Sequence, residues 1–201
     1  MNDTAAAVAV LGAVVTVMGH EVLRLQERVK NSASGGPILQ GTDLGLNAGM
    51  PWPSKELRSL AGSSIVIGGR VEPQRTAILM LSTTCQVCKV LSPVVPAIVG
   101  VHREARWVAM VAGDIPAIRS MVKLAGIPET MTVPTTIEEM RNVYGVTYYP
   151  FTYVLGRDGR VAAKALTARR EHIEILMATA KERDARPERS PRPRPSRVER
   201  G

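Results

Sequence analysis

The chain has two cysteines, Cys85 and Cys88, and they stand as a Cys-x-x-Cys pair. Two thiols at that spacing can close into a disulfide, open again, and pass two electrons to or from another protein. The flanking residues favour that use. Residues 76–81 form an apolar run of strand character, and beyond the pair Val90, Leu91, Val94, Val95 and Ile98 recur at helical spacing. A strand that ends in the pair as a helix begins puts the first thiol against free backbone N–H groups and the positive end of the helix. Both stabilise a thiolate. The second thiol follows one turn later, within bonding reach of the first. Cys85 is therefore the expected attacking thiolate, and Cys88 the thiol that resolves a mixed disulfide.

Two plainer readings use the same residues. Half of a tetrahedral zinc site would need two more ligands, and His20, His102 and His172 are scattered along the chain. A purely structural disulfide would close so short a loop that it constrains little of the unfolded chain. The exchange reading itself calls for no metal and no cofactor.

The pair also carries a family resemblance. Cys85-Gln-Val-Cys88-Lys89, with Pro93 five residues after the second cysteine, resembles the thioredoxin-like superfamily. The resemblance implies an α/β domain, a central mixed sheet flanked by helices. It makes Lys89 a candidate for tuning the thiolate. It also gives the run Tyr148-Tyr149-Pro150-Phe151 a role. Pro150 falls where that fold has a cis-proline packed on the dithiol, leaving the backbone of Tyr149 free to pair with an extended client segment. An ordinary proline at a strand entry is the alternative. Two positions depart from the pattern. Thr84 stands where a tryptophan is usual, and Leu79 stands where a buried acid would relay protons.

The elements that must position these residues follow in order. Residues 55–61 read as a short segment closed by Gly62, and residues 64–67 as an apolar strand. Residues 106–111 read as the next strand. Asp114 then caps a helix whose apolar side is Ile115, Ile118, Met121, Val122 and Ala125, ended by Gly126 and Pro128. Residues 131–133 read as a short strand and 136–144 as a helix, with Glu138 and Glu139 near its start, where the helix dipole favours them. Asp158-Gly159 signals a hairpin turn. A last helix over 169–183 puts Ile173, Leu176, Met177 and Ala180 on one side. Strands alternating with helices imply parallel pairing in the first part of the domain.

The net charge of +8 suggests nucleic acid until it is located. Residues 183–201 hold seven arginines against three acids, interleaved with Pro187, Pro191, Pro193 and Pro195. Such a segment neither forms a helix nor buries a core, so residues 184–201 read as a disordered Arg/Pro-rich tail. It has no aromatic residue on which a base could stack, and nucleic acid is not an expected partner. At the other end, residues 4–19 carry no charge. At about 1.5 Å per residue they fall slightly short of the roughly 30 Å hydrocarbon core. Val22, Leu23 and snorkelling flanks can make up the difference. With no basic n-region and no small-x-small cleavage site, a retained single-pass signal-anchor in contact with membrane lipid is expected. A cleaved leader and a buried helix are the alternatives. Arg24, Arg28 and Lys30 follow the run, so the positive-inside rule alone would hold the domain in the cytoplasm.

The expected organisation is an anchor and juxtamembrane helix over 1–30, a linker over 31–48 rich in Gly, Ser and Pro, and the domain over 49–183. Within it, Leu25-Gln-Glu-Arg-Val29, Gly49-Met-Pro-Trp-Pro53, Leu60-Ala-Gly62 and Leu81-Ser-Thr-Thr-Cys85 resemble the redoxin-type accessory proteins of methylamine utilisation. The likeness runs to about Ala180. It implies a membrane-anchored, extracytoplasmic thiol–disulfide protein, against the charge rule. It also implies client proteins that carry cysteines, among them a dehydrogenase under maturation, and a separate partner that recycles the site. Three rivals are weighed against this. A peroxiredoxin would have Pro and Thr where Ile78 and Ser82 stand. A metallochaperone would want Cys-x-x-x-Cys with a distant histidine, for which His172 is available. An assembly factor would use the fold without redox turnover.

Overall fold

Strand β3 (Arg75–Ser82) runs through the middle of a five-stranded sheet, and the Cys-x-x-Cys begins where it ends. The structure, a computed structural model, describes residues 44–69 and 73–185. The uncharged run at 4–19, the juxtamembrane helix, most of the linker and the Arg/Pro-rich tail lie outside the described residues. Among the described residues no helix is long and apolar enough to cross a membrane.

The chain builds a hairpin first, from β1 (Lys55–Arg58) and β2 (Ser64–Ile67). β3 then pairs in parallel with β4 (Ala105–Ala112), and β4 in parallel with β5 (Thr132–Thr135). On its other side β3 pairs antiparallel with β6 (Phe151–Leu155), which pairs antiparallel with β7 (Val161–Leu166). The order β5-β4-β3-β6-β7 is a mixed sheet, parallel in its first part as the alternation of strands and helices implies. Both neighbours of β3 are in place, and its residues from Thr76 to Ser82 are buried. That explains why its sequence reads as a continuous apolar run rather than an alternating one.

Side chains alternate across the sheet, and two different layers cover the two faces. Ile78 and Met80 of β3 join Met110, Phe151, Tyr153 and Leu155 under the β1–β2 hairpin and the helix α4 (Ile137–Tyr144). Trp52 is the keystone there, stacked on Tyr144 at 4.7 Å between centroids and edge-on to Tyr153 at 5.1 Å. Lys55 of the hairpin donates to Glu139 of α4, and this bond holds the Glu139 carboxyl below its ordinary range. The turn of the hairpin runs along the edge strand, with the Leu60 amide donating to the Thr132 carbonyl at 2.8 Å. An edge that would otherwise be open is thereby covered.

The opposite face, with Leu79 and Leu81, carries the remaining helices: α1 (Gln86–Leu91), α2 (Val95–Val101), α3 (Ile115–Ala125) and α5 (Arg170–Ala185). The apolar helical run after the cysteines is not one helix. A 3-10 turn over Ser92–Val94 separates α1 from α2, because Pro93 and Pro96 have no N–H to continue the ladder. The carbonyls they leave are partnered otherwise. Lys89 O accepts from the Ser92 hydroxyl at 3.3 Å, and Ser92 O accepts from the Val95 amide. The kink turns Leu91, Val95 and Ile98 into the core and leaves Val90, expected on the same apolar side, 74% exposed.

Elsewhere the caps read from sequence are present. Asp114 accepts from the Ala117 amide at 2.7 Å, and Gly126 closes α3 in the left-handed conformation. Thr136 caps α4. The strand expected at residues 131–133 starts one residue later, because a 3-10 turn occupies Glu129–Met131. The last helix presents Ile173, Leu176, Met177 and Ala180 to the sheet, all buried, and packs on β7 and β6.

Tyr153 ties the segment before the hairpin to this scaffold. Its hydroxyl accepts from the Leu46 amide at 2.8 Å and donates to the Tyr144 carbonyl at 2.7 Å, and burial holds the phenol well above its ordinary range. Gly45 has φ +74°, and a Cβ there would collide with that hydroxyl. Tyr153→Phe strands one donor and one acceptor, so unfolding in denaturant should show a loss of about 2 kcal/mol. A loss below about 0.5 kcal/mol would mean that water replaces the hydroxyl at no cost.

Candidate active site

The site is built from the end of β3 outward. Ser82, the last residue of β3, is buried, and its carbonyl accepts from the Cys85 amide at 3.2 Å. Its hydroxyl meets the Thr84 hydroxyl at 3.0 Å and accepts from the Thr84 amide at 3.3 Å. These bonds turn the chain sharply out of the sheet. The adjacent Thr83 amide donates to the Ala112 carbonyl at 3.0 Å, which ties the turn to the end of β4. Gly113 follows at φ +152°, and any side chain there would run into Thr83. The loops after β3 and β4 can approach only because that residue is glycine.

Cys85 is the N-cap of α1. Its backbone is extended, and its sulfur accepts from the Cys88 amide at 3.2 Å, the place a serine or aspartate oxygen takes in most caps. The helix end thus holds the sulfur directly against an orphan N–H. Cys85 is half-buried rather than open to solvent, and Cys88 is completely buried; both are free thiols. Burial, foremost, and then the hydrogen bond with Cys85 push the Cys88 thiol far above its ordinary range. The backbone amides of Ser82 and Cys88 itself oppose that rise. No carboxylate or imidazole is among the described groups that act on this thiol, and Leu79, at the position of the usual buried acid, is itself buried.

The Tyr149–Pro150 peptide bond is cis. The Tyr149 carbonyl lies 3.6 Å from the Cys85 sulfur, which donates to it, so residues 64 apart in the chain meet at one atom pair. The Tyr149 side chain is half-buried, its hydroxyl donating to the Val146 carbonyl at 3.2 Å, and burial holds that phenol above its ordinary range. Pro150 is buried, and Tyr148 stands 61% exposed beside the site. Cys85, Cys88, Tyr149 and Pro150 are therefore gathered at one end of the sheet. Lys89 is exposed in the last turn of α1. Its amide donates to the Cys85 carbonyl, but among the described residues its ammonium makes no hydrogen bond or ion pair. Its nearness to the dithiol is one of sequence, and the ammonium makes no hydrogen bond to either sulfur.

Among the described residues no three His, Cys, Asp or Glu side chains converge as metal ligands. The arrangement instead offers one sulfur at the surface end of a helix and a second one turn below it, each able to bond the other. Four residues that shape the site were not legible as site residues in the sequence. Ser82 and Gly113 read only as a strand end and a loop glycine. The fully buried hydroxyls of Thr152 and Thr167, 2.6 Å apart behind the Tyr149–Pro150 turn, gave no motif at all. Two threonines in otherwise apolar strands were the available signal.

No protein-family model matches the chain. It is similar in structure to a thiol:disulfide interchange protein of the thioredoxin family from Chlorobium tepidum, with a TM-score of 0.55 at 17% identity, over 67% of this chain and 97% of that one. The fold is thioredoxin-like. In sequence it is 26% identical to the methylamine utilization protein MauD of Methylophilus methylotrophus over 70% of this chain, a stretch that spans 65% of that protein. It is 31% identical to MauD of Paracoccus denitrificans over 173 residues, which cover 84% of this chain and 82% of the relative. With a dithiol on a thioredoxin-like scaffold and that degree of shared sequence over most of both chains, the protein belongs to the MauD family of methylamine utilization proteins.

Proposed function

We propose that this chain is a thiol–disulfide oxidoreductase of client proteins, with Cys85 as nucleophile and Cys88 as resolving thiol. The observation that carries it is the capping geometry. The half-buried Cys85 sulfur accepts from the Cys88 amide at 3.2 Å, while Cys88 is fully buried one turn behind it. In the reducing direction the Cys85 thiolate attacks a client disulfide. A mixed disulfide forms, and one client sulfur leaves as a thiolate. Cys88 gives up its proton and attacks Cys85, releasing the second client sulfur. The Cys85–Cys88 disulfide results, and the client gains two electrons. A separate dithiol partner must then reduce the site, and the reverse sequence oxidises a client.

The relatives are named for methylamine utilization, and a disulfide-bearing dehydrogenase under maturation is the client class this reading favours. The uncharged run at 4–19 supports a membrane tether, and the family resemblance supports an extracytoplasmic domain. Reporter fusions that are active on only one side of the membrane test the topology. A signal from the extracytoplasmic reporter alone is expected, and one from the cytoplasmic reporter alone would show that Arg24, Arg28 and Lys30 decide the orientation.

The roles of the two thiols separate experimentally. Alkylation at neutral pH should label Cys85 at least about tenfold faster than Cys88, because Cys88 is buried and its thiol is pushed up. Cys88→Ser should accumulate mixed disulfides with clients through Cys85, and Cys85→Ser none. If Cys88→Ser captures nothing in its native membrane while Cys85 is shown to be free, a binding role without redox turnover becomes the better reading.

Stability in the reduced form carries the same signature. The Cys88 thiol ionises far less readily folded than unfolded, so its contribution is fully present below the unfolded value, about 8.5. It is lost as pH rises above that. The reduced protein should lose up to about 1.4 kcal/mol of unfolding free energy per pH unit there. Cys88→Ala should flatten that slope between about pH 8.5 and 10, before the buried tyrosines begin to contribute. An unchanged slope would show that Cys88 is not buried in the reduced state.

A further inference from the structure

Behind the dithiol two buried hydroxyls bond each other. Thr152 and Thr167 are both 0% exposed, and their hydroxyls lie 2.6 Å apart. Thr152 is the second residue of β6 and stands opposite Leu79 of β3 in the register, on the sheet face covered by α1. Thr167 follows the last residue of β7, and its amide donates to the Pro150 carbonyl at 3.0 Å. A buried hydroxyl without a partner costs about 1–3 kcal/mol, so the position of each threonine is dictated by the other. The pair fastens the end of β7 to the start of β6, directly behind the residue whose neighbour, Tyr149, accepts from the Cys85 sulfur.

The hydrogen-bonded path is short and continuous. The Thr152 hydroxyl meets the Thr167 hydroxyl, the Thr167 amide holds the Pro150 carbonyl, and the Tyr149 carbonyl one residue earlier touches Cys85. β6 and β7 are otherwise joined at this end by the pairing of Phe151 with Leu166 and of Thr152 with Ala165, beyond which Thr167 leaves the ladder. The hydroxyl pair adds a side-chain tie at the point where the ladder ends and only the Thr167 amide still reaches Pro150.

We propose that Thr152 and Thr167 are positioning residues of the dithiol site: their hydroxyl pair fixes the turn at residues 149–150, and so keeps the Tyr149 carbonyl seated against Cys85 and the sulfur half-covered. The inference rests on Cys85 being the reacting thiol. It adds two residues, outside the Cys-x-x-Cys, that govern how open that thiol is to attack. Loosening the pair lets the carbonyl withdraw and uncovers the sulfur, which makes Cys85 faster rather than slower toward a small electrophile.

The test uses the full chain with both cysteines reduced. Site-resolved iodoacetamide labelling gives the rate at Cys85, and denaturant unfolding gives the stability. The proteins are Thr152→Val, Thr167→Val, the double valine variant and Thr167→Ser. Each single valine leaves one hydroxyl stranded and lowers stability, whereas the double variant removes both polar groups and recovers most of it. The Cys85 rate should nevertheless rise about threefold or more in all three valine proteins, since access governs thiol reactivity. Thr167→Ser keeps the hydroxyl and should label at the wild-type rate. A purely structural role would restore the rate together with the stability in the double variant, and that result overturns the proposal. If the double variant does not fold, the contrast between Thr167→Val and Thr167→Ser decides, and equal rates in the two overturn it. Labelling needs no client and no turnover. A wild-type protein that fails to exchange disulfides would therefore sink the proposed function while leaving this result readable.

Discussion

The hydrogen bond from the Cys88 amide to the Cys85 sulfur is the interaction on which the rest of the site depends. It makes a thiol the capping group of a helix, so the reacting atom and the start of the secondary structure are the same object. A cap works only if the chain enters the helix at one angle, and three constraints set that angle. The Ser82–Thr84 hydroxyl turn bends the strand, the Thr83 amide bonds to the end of β4, and Gly113 leaves room for the approach. Each is weak alone, at about 1 kcal/mol net for an ordinary hydrogen bond. Together they carry the rigidity of the sheet to one sulfur.

The sheet can supply that rigidity because its central strand is paired on both sides and covered on both faces. The two covers differ in kind. The hairpin side is locked by aromatic contacts around Trp52 and by the two hydrogen bonds of Tyr153, groups with direction as well as area. The helix side is mostly aliphatic, from Leu91, Val95 and Ile98 through Ile173 and Leu176, with Trp107, Thr132 and the Thr152–Thr167 pair as its hydrogen-bonding exceptions. Aliphatic packing tolerates small shifts, whereas a buried hydroxyl pair does not. The buried hydroxyl-to-hydroxyl contact on that face sits behind the Tyr149–Pro150 turn.

Much of this was readable from residue order, and the reasons are local. Asp114, Gly126 and the Asp158-Gly159 turn act through their own backbone neighbours, so their signals survive in a linear string. The apolar run of β3 and the Cys-x-x-Cys at its end are likewise contiguous. What escaped was non-local or depended on competition between rules. The spacing of Val90, Leu91, Val94, Val95 and Ile98 fits one helix, yet Pro93 and Pro96 break it and put Val90 in solvent. Lys89 is adjacent to Cys88 in sequence, but the helix carries its side chain into solvent. The threonine pair joins residues fifteen apart, and neither residue type announces a partner.

The missing acid at position 79 has a consequence for how the chemistry must be organised. In a site with a buried carboxylate, the resolving thiol can pass its proton into the protein. Here Cys85, two backbone amides and the Tyr149 phenol interact with Cys88, and Leu79 pairs across the sheet with Thr152, whose hydroxyl is not a base. On the proposed mechanism, the Cys88 proton leaves on the side that faces Cys85, toward the sulfur being expelled. The client thiolate is the strongest base that arrives there. On the proposed mechanism, deprotonation of Cys88 and departure of the client are then coupled in one place, and a client sulfur of lower pKa leaves faster. Burial this deep, with Leu79 rather than an acid behind it, keeps the Cys88 thiol protonated, and on the proposed mechanism it reacts only once a client is attached.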